Sequence, residues 1–86
     1  MNPSHTVYLL MAEFGSAAVP LDAVAKKYFG LEIPQAKVKA KRQQLPVPVY
    51  RTSDSQKAPW LISVVDLADY LDSQREKAKI DWVRLQ

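Results

Sequence analysis

Gly30 and Pro34 are separated by only Leu31, Glu32 and Ile33, inside a stretch that otherwise reads as helix. A glycine can take the left-handed conformation that stops a helix, and a proline is preorganised for the first helical turn, where its missing N–H is no loss. So short a connection obliges the two flanking helices to be neighbours. They are expected over about Leu21 to Phe29 and about Pro34 to Gln43. In the first, Leu21, Val24, Ala25, Tyr28 and Phe29 form an apolar stripe, and Asp22 sits in the opening turn, where the helix dipole favours an anion. In the second, Ala36 and Ala40 lie one turn apart, and side chains that small let it approach its neighbour closely.

The rest of the chain is built around this unit. Val7, Leu10, Met11 and Phe14 recur at helical spacing and predict a helix from about His5 to Phe14, with Asn2, Pro3 and Ser4 as breaker and cap and Gly15-Ser16 as its end. Val19-Pro20 is an extended lead-in to the next helix. Downstream, Leu45-Pro46-Val47-Pro48 cannot continue a helix, because two prolines remove donors and hold the preceding residues extended. Val49-Tyr50-Arg51 and Trp60-Leu61-Ile62 are β-prone and flank the polar stretch from Thr52 to Pro59, which predicts a hairpin ending in a wing. Trp60 is placed in the core. Ser63 with Asp66 then marks the start of a last helix, about Val64 to Leu85. Leu67, Leu71, Ala78, Trp82 and Leu85 lie near one face of it, while Gln74 and Arg75 interrupt the stripe. The first half should therefore pack on the core and the second half project. The expected fold is mainly α with a small β-hairpin, a winged helix-turn-helix.

With 86 residues, of which 48% are hydrophobic, the chain can enclose one core but not two, so residues 1–86 are read as a single domain. Cysteine is absent and His5 is the sole histidine, which excludes disulfide staples and any zinc site built from Cys and His. Two glycines cannot make a phosphate-cradling loop, and no nucleophile with a nearby base is evident. Asp66, Asp69 and Asp72 recur every three residues, but no His or Cys completes a metal or acid/base set, and a solvated acidic face explains them. The expectation is a protein that is not an enzyme and uses neither cofactor nor metal. The apolar run from Val7 to Met11 is too short for a signal peptide or a membrane span and is followed by Glu13, so a cytoplasmic location is expected.

Charge is distributed unevenly. From Lys26 to Lys57 eight basic residues face only Glu32 and Asp54, a net +6, which leaves −3 for the remainder of a chain whose total is +3. A cationic middle and acidic ends suit a polyanionic partner. With Ala36 and Ala40 turned inward, a helix of about 3.6 residues per turn presents Gln35, Lys37, Val38, Lys41 and Arg42 outward. Such a helix fits the DNA major groove, where glutamine pairs with adenine, arginine with guanine, and a valine methyl meets the methyl of thymine. Gln35, Val38 and Arg42 are accordingly expected to contact bases, and Lys37, Lys39 and Lys41 to neutralise phosphates. The wing adds Arg51 at its base and Gln56 and Lys57 near its tip, while Lys26 and Lys27 of the preceding helix are candidates for the DNA backbone.

The order of elements resembles the excisionase and MerR-type winged helix-turn-helix group. A closer similarity is to the pyocin activator family, carried by Leu9-Leu10-Met11-Ala12-Glu13, Val19-Pro20-Leu21-Asp22, Tyr28-Phe29-Gly30-Leu31, Leu45-Pro46-Val47-Pro48 and Gln56-Lys57-Ala58-Pro59-Trp60-Leu61. That resemblance implies a sequence-specific activator at promoters of phage-tail-like bacteriocin or phage-derived genes. Gln43 departs from the pattern, standing where such folds commonly place a glycine, so the helix before it should run longer or end in a left-handed residue.

The leading expectation is thus a nucleoid-associated transcription activator binding double-stranded promoter DNA. The stripe of Ala78, Trp82 and Leu85 is set aside for a homodimer or for contact with RNA polymerase. Two alternatives stand beside it: an excisionase-like factor that bends DNA without activating transcription, and an adaptor whose basic face takes an acidic protein.

Overall fold

A computed structural model describes residues 5–86, so the breaker and cap expected from Asn2, Pro3 and Ser4 lie outside the described residues. In chain order the elements are α1 (His5–Phe14), β1 (Ala18–Pro20), α2 (Leu21–Phe29), α3 (Ile33–Lys41), β2 (Leu61–Ser63) and α4 (Val64–Arg84). The described residues are therefore mainly helical, with one small antiparallel sheet.

α1 and α2 have the expected bounds. Gly15 and Gly30 follow them with φ of 68° and 65°, the conformation in which a side chain would crowd its own carbonyl. α3 begins one residue earlier than expected and ends two residues sooner. Its start is moved by Glu32, the cap, which forms a reciprocal capping box with Gln35 and puts Pro34 in the second helical position. Its end is a Schellman turn: Gln43 N–H donates to the Ala40 carbonyl at 3.0 Å and Gln44 N–H to that of Lys39 at 2.9 Å. Gln43 itself adopts φ 54°, so the left-handed alternative is the one realised.

The expected hairpin needs correction. Val49-Tyr50-Arg51 and Trp60-Leu61-Ile62 do not pair as strands; Tyr50 and Leu61 form one isolated bridge, closed by hydrogen bonds of 3.0 and 2.7 Å. The sheet instead joins β1 to β2, with Ala18 opposite Ser63, Val19 opposite Ile62 and Pro20 opposite Leu61. Val19 and Ile62 are both fully buried, so this pairing puts two β-branched side chains into the core. On the other side, Pro46 and Pro48 have no N–H to extend a ladder beyond the bridge.

The core contains Val7 and Leu10 of α1, Val19, the Leu21, Val24 and Ala25 stripe of α2, Ala36 and Ala40 of α3, Val47, Val49, Ile62, and Val64, Leu67 and Ala68 of α4. Tyr28, Phe29, Trp60, Tyr70 and Leu71 rim it, with Phe29 and Tyr70 edge to face at 5.6 Å. Met11, expected in the α1 stripe, is exposed. Ser63 Oγ accepts the Val65 N–H at 3.2 Å and caps α4, and Thr6 donates to Asp72 at 2.6 Å to tie α1 to it. From residue 73 onward α4 is exposed, which gives the molecule an elongated outline of 50 × 27 × 21 Å.

Candidate nucleic-acid interface

The placement of α3 follows from its two alanines. Both are fully buried and α3 packs on α2, so the opposite side of the helix is set outward. Val38 lies at the crest, 52% exposed. Lys37 and Lys41, one turn apart, flank it on the side that faces the segment after Tyr50. Across from them the Tyr50–Leu61 bridge closes the base of a loop, residues 52–59, and the two faces bound a groove of roughly 450 Å³. Lys37, Val38 and Lys41 line one wall, and Arg51, Gln56, Lys57 and Trp60 line the other. Six residues chosen as DNA contacts from the sequence thus meet in one concavity.

The other candidates are placed elsewhere. Gln35 uses its side-chain oxygen to accept the Glu32 N–H at 3.2 Å, so it serves the helix cap and stands outside the groove lining. Arg42 is exposed at the C-terminal cap of α3, on the flank away from the groove, and Lys39 is half-buried on that flank. Lys26 pairs with Glu32 at 3.8 Å. Lys27 is drawn toward α1, where it donates to Glu13 and lies 5.1 Å from the Tyr28 ring centre. The hydrogen bond from Lys27 holds the Glu13 carboxyl below its usual range, and the same bond holds the Lys27 ammonium above its own. Lys37 reaches Asp22 at 4.0 Å. Among the described residues this leaves Lys39, Lys41, Arg42, Arg51 and Lys57 of the cationic middle without an ion-pair partner.

Two groove residues with a charge or an aromatic ring escaped the sequence reading. Asp22, read as a helix-start acid, also lines the groove and is its one carboxylate among the described residues. Trp60, assigned to the core, is half-buried, and the Arg51 guanidinium lies over its ring at 4.1 Å. The register signal for that contact is simple: residues next to a Tyr50–Leu61 bridge stand opposite each other.

Of the residues set aside for association, Ala78 and Trp82 are exposed on the projecting half of α4 and Leu85 at its C-terminal cap, Trp82 by 63% and Leu85 by 85%. Among the described residues no helix is long and apolar enough to cross a membrane.

The family model described as "Pyocin activator protein PrtN" matches residues 6–78. Searches of curated proteins and of solved structures return no match.

Proposed function

The chain belongs to the pyocin activator family, and on that premise we propose that it is a winged helix-turn-helix transcription activator of bacteriocin or phage-derived genes, binding duplex promoter DNA without catalysis. In this reading α2 and α3 are the helix-turn-helix, α3 enters the major groove, and the loop at 52–59 is the wing. The observation that carries it is the convergence of Lys37, Val38 and Lys41 with Arg51, Gln56 and Lys57 on one groove. Helix and loop then address one stretch of duplex together.

The division of labour follows from the side chains. Val38 at the crest offers methyls to a thymine, and Arg42 at the helix end offers a guanidinium to guanine. The lysines, with compact charges on flexible stems, meet phosphates. Gln35 keeps a base-reading role only with the part of its amide not engaged by the cap. Among the described residues five cations lie free of protein carboxylates; with Arg42 kept for a base and the other four each neutralising one phosphate, the slope of log affinity on log salt is about −3 to −4. The setting is chromosomal DNA in the cytoplasm, and the exposed half of α4 is the surface assigned to self-association or polymerase contact.

The test is a fluorescence-anisotropy titration against promoter fragments of a bacteriocin cluster, with random duplex as control. Replacing Lys37, Lys41 and Arg42 together by alanine should abolish specific binding while the melting curve is kept. Unchanged affinity would remove α3 from the interface. A fragment that is bent by the protein, yet supports no increase in reporter transcription, would turn the reading into an architectural one.

A further inference from the structure

We infer that Arg51 is the seat of one backbone phosphate of the bound duplex, and that Trp60 is the residue that positions it. The inference rests on the DNA-binding reading above and names the point at which the strand beside α3 is gripped.

The geometry begins with the scaffold. Tyr50 and Leu61 exchange both backbone hydrogen bonds, and the Trp60 carbonyl accepts the Leu21 N–H at 2.9 Å, so the Trp60 backbone is held between the start of α2 and the bridge, while its indole packs against the core. Arg51 is opposite it, with its guanidinium carbon 4.1 Å from the ring centre. Its Nε is buried without a hydrogen-bond partner among the described residues, while the side chain as a whole remains half-exposed and lines the groove. Stacking on an indole, not a protein carboxylate, therefore fixes this cation.

The electrostatics ask for an anion. Lys37, Lys41 and Lys57 line the same groove, and Asp22, its one carboxylate among the described residues, is already within 4.0 Å of Lys37. Four like charges around one concavity repel each other until a polyanion lies between them. A planar fork held in place suits the tetrahedral oxygens of a phosphate better than a lysine does, because less freedom is lost on binding. Position favours phosphate over a base edge as well: Arg51 lines the wall opposite Val38, Lys37 and Lys41, on the wing side of the groove, where the strand bordering the major groove would pass.

The experiment compares Arg51→Lys, Arg51→Ala, Trp60→Phe and Trp60→Leu with the wild type, measuring affinity for the promoter fragment over a range of salt. Arg51→Lys keeps the charge but loses the fork, and should weaken binding about 3- to 30-fold with an unchanged salt slope. Arg51→Ala removes a phosphate contact and should make the slope shallower by about 0.9. Trp60→Leu should resemble Arg51→Lys in affinity and slope, and should add little in the Arg51→Lys background, as expected of a residue acting through Arg51. Trp60→Phe should shift affinity in the same direction by less, and it serves alone if the leucine variant does not melt cooperatively.

Wild-type affinity in Arg51→Lys, an unchanged slope in Arg51→Ala, or no loss in either Trp60 variant overturns the assignment. So does a loss in Arg51→Lys that disappears when a single base pair of the site is changed, which would make Arg51 a base reader. If the α3 triple variant loses binding while the Arg51 and Trp60 variants do not, only this inference falls. A wild type that binds no duplex at low salt removes both.

Discussion

Replacing Gln43 by glycine should stabilise the protein. Gln43 occupies the first position beyond the cap of α3, with φ 54°, and its N–H completes the turn by bonding to Ala40. In that conformation a Cβ sits too close to the following carbonyl, at a cost of about 1–2 kcal/mol for an ordinary residue. The side chain is exposed, so removing it sacrifices no core packing. Against the gain stands the extra freedom of glycine in the unfolded chain, about 0.4–1 kcal/mol. The net is a stabilisation of about 0.5–1 kcal/mol, which for a domain of this size is a rise in Tm of roughly 2–8 °C. Thermal melts followed by circular dichroism, with urea unfolding at constant m value, read it directly. Gln43→Ala keeps the strained φ and should stay within about 0.5 kcal/mol of the wild type. A glycine variant that melts at or below the wild-type temperature with unchanged m would refute the claim that this turn stores strain.

Other consequences follow from the packing and the charges. Ala40 is fully buried where α3 meets α2, so Ala40→Leu should overpack the contact and cost about 1–3 kcal/mol, seen as a lower urea midpoint; an unchanged midpoint would mean the helices are not closely apposed. The Glu13–Lys27 pair joins α1 to α2, and its pH dependence has a definite sign. With Glu13 lowered from 4.5, its contribution is complete above that value and disappears as pH falls through the folded pKa; with Lys27 raised from 10.5, its contribution is complete below that value and disappears as pH rises through the folded pKa. Glu13→Gln should therefore flatten the acid limb of a stability-against-pH curve, and an identical limb in the variant would show that the pair contributes nothing. Because the pair is exposed, the effect should be small and should shrink with added salt. If the projecting half of α4 carries self-association, Trp82→Glu should convert a sedimenting dimer to a folded monomer. A wild type that is monomeric at all concentrations, or a variant dimer of equal strength, would remove Trp82 from that role.

Most helix limits were legible in the chain because they are set within a few residues. Gly15, Gly30, Ser63 and the Leu45-Pro46-Val47-Pro48 block each act on the backbone beside them, and α1, α2 and the start of α4 lie where those residues put them. The left-handed residue at Gln43 was among the expected endings for the same reason. Even the one-residue error at the start of α3 is local, since Glu32 and Gln35 are three apart and a capping box outweighs a proline preference. The outward face of α3 was also readable, because two alanines one turn apart identify the buried side.

Tertiary structure decided what depends on distance between remote segments. Leu61 to Ser63 pairs along its whole length with Ala18 to Pro20, from beyond two helices, in a register that buries Val19 against Ile62, and meets the nearer Val49 to Arg51 only at the Tyr50–Leu61 bridge. Lysines that look alike in a row of letters diverge in space: Lys27 is taken by Glu13, Lys26 by Glu32 and Lys37 by Asp22, while Lys41 and Lys57 face the groove with no such partner among the described residues. The same folding laid Arg51 over Trp60. Backbone preference is set by a residue and its immediate neighbours, so it can be read along the chain; Coulombic and stacking contacts depend on positions that exist only once the core has closed.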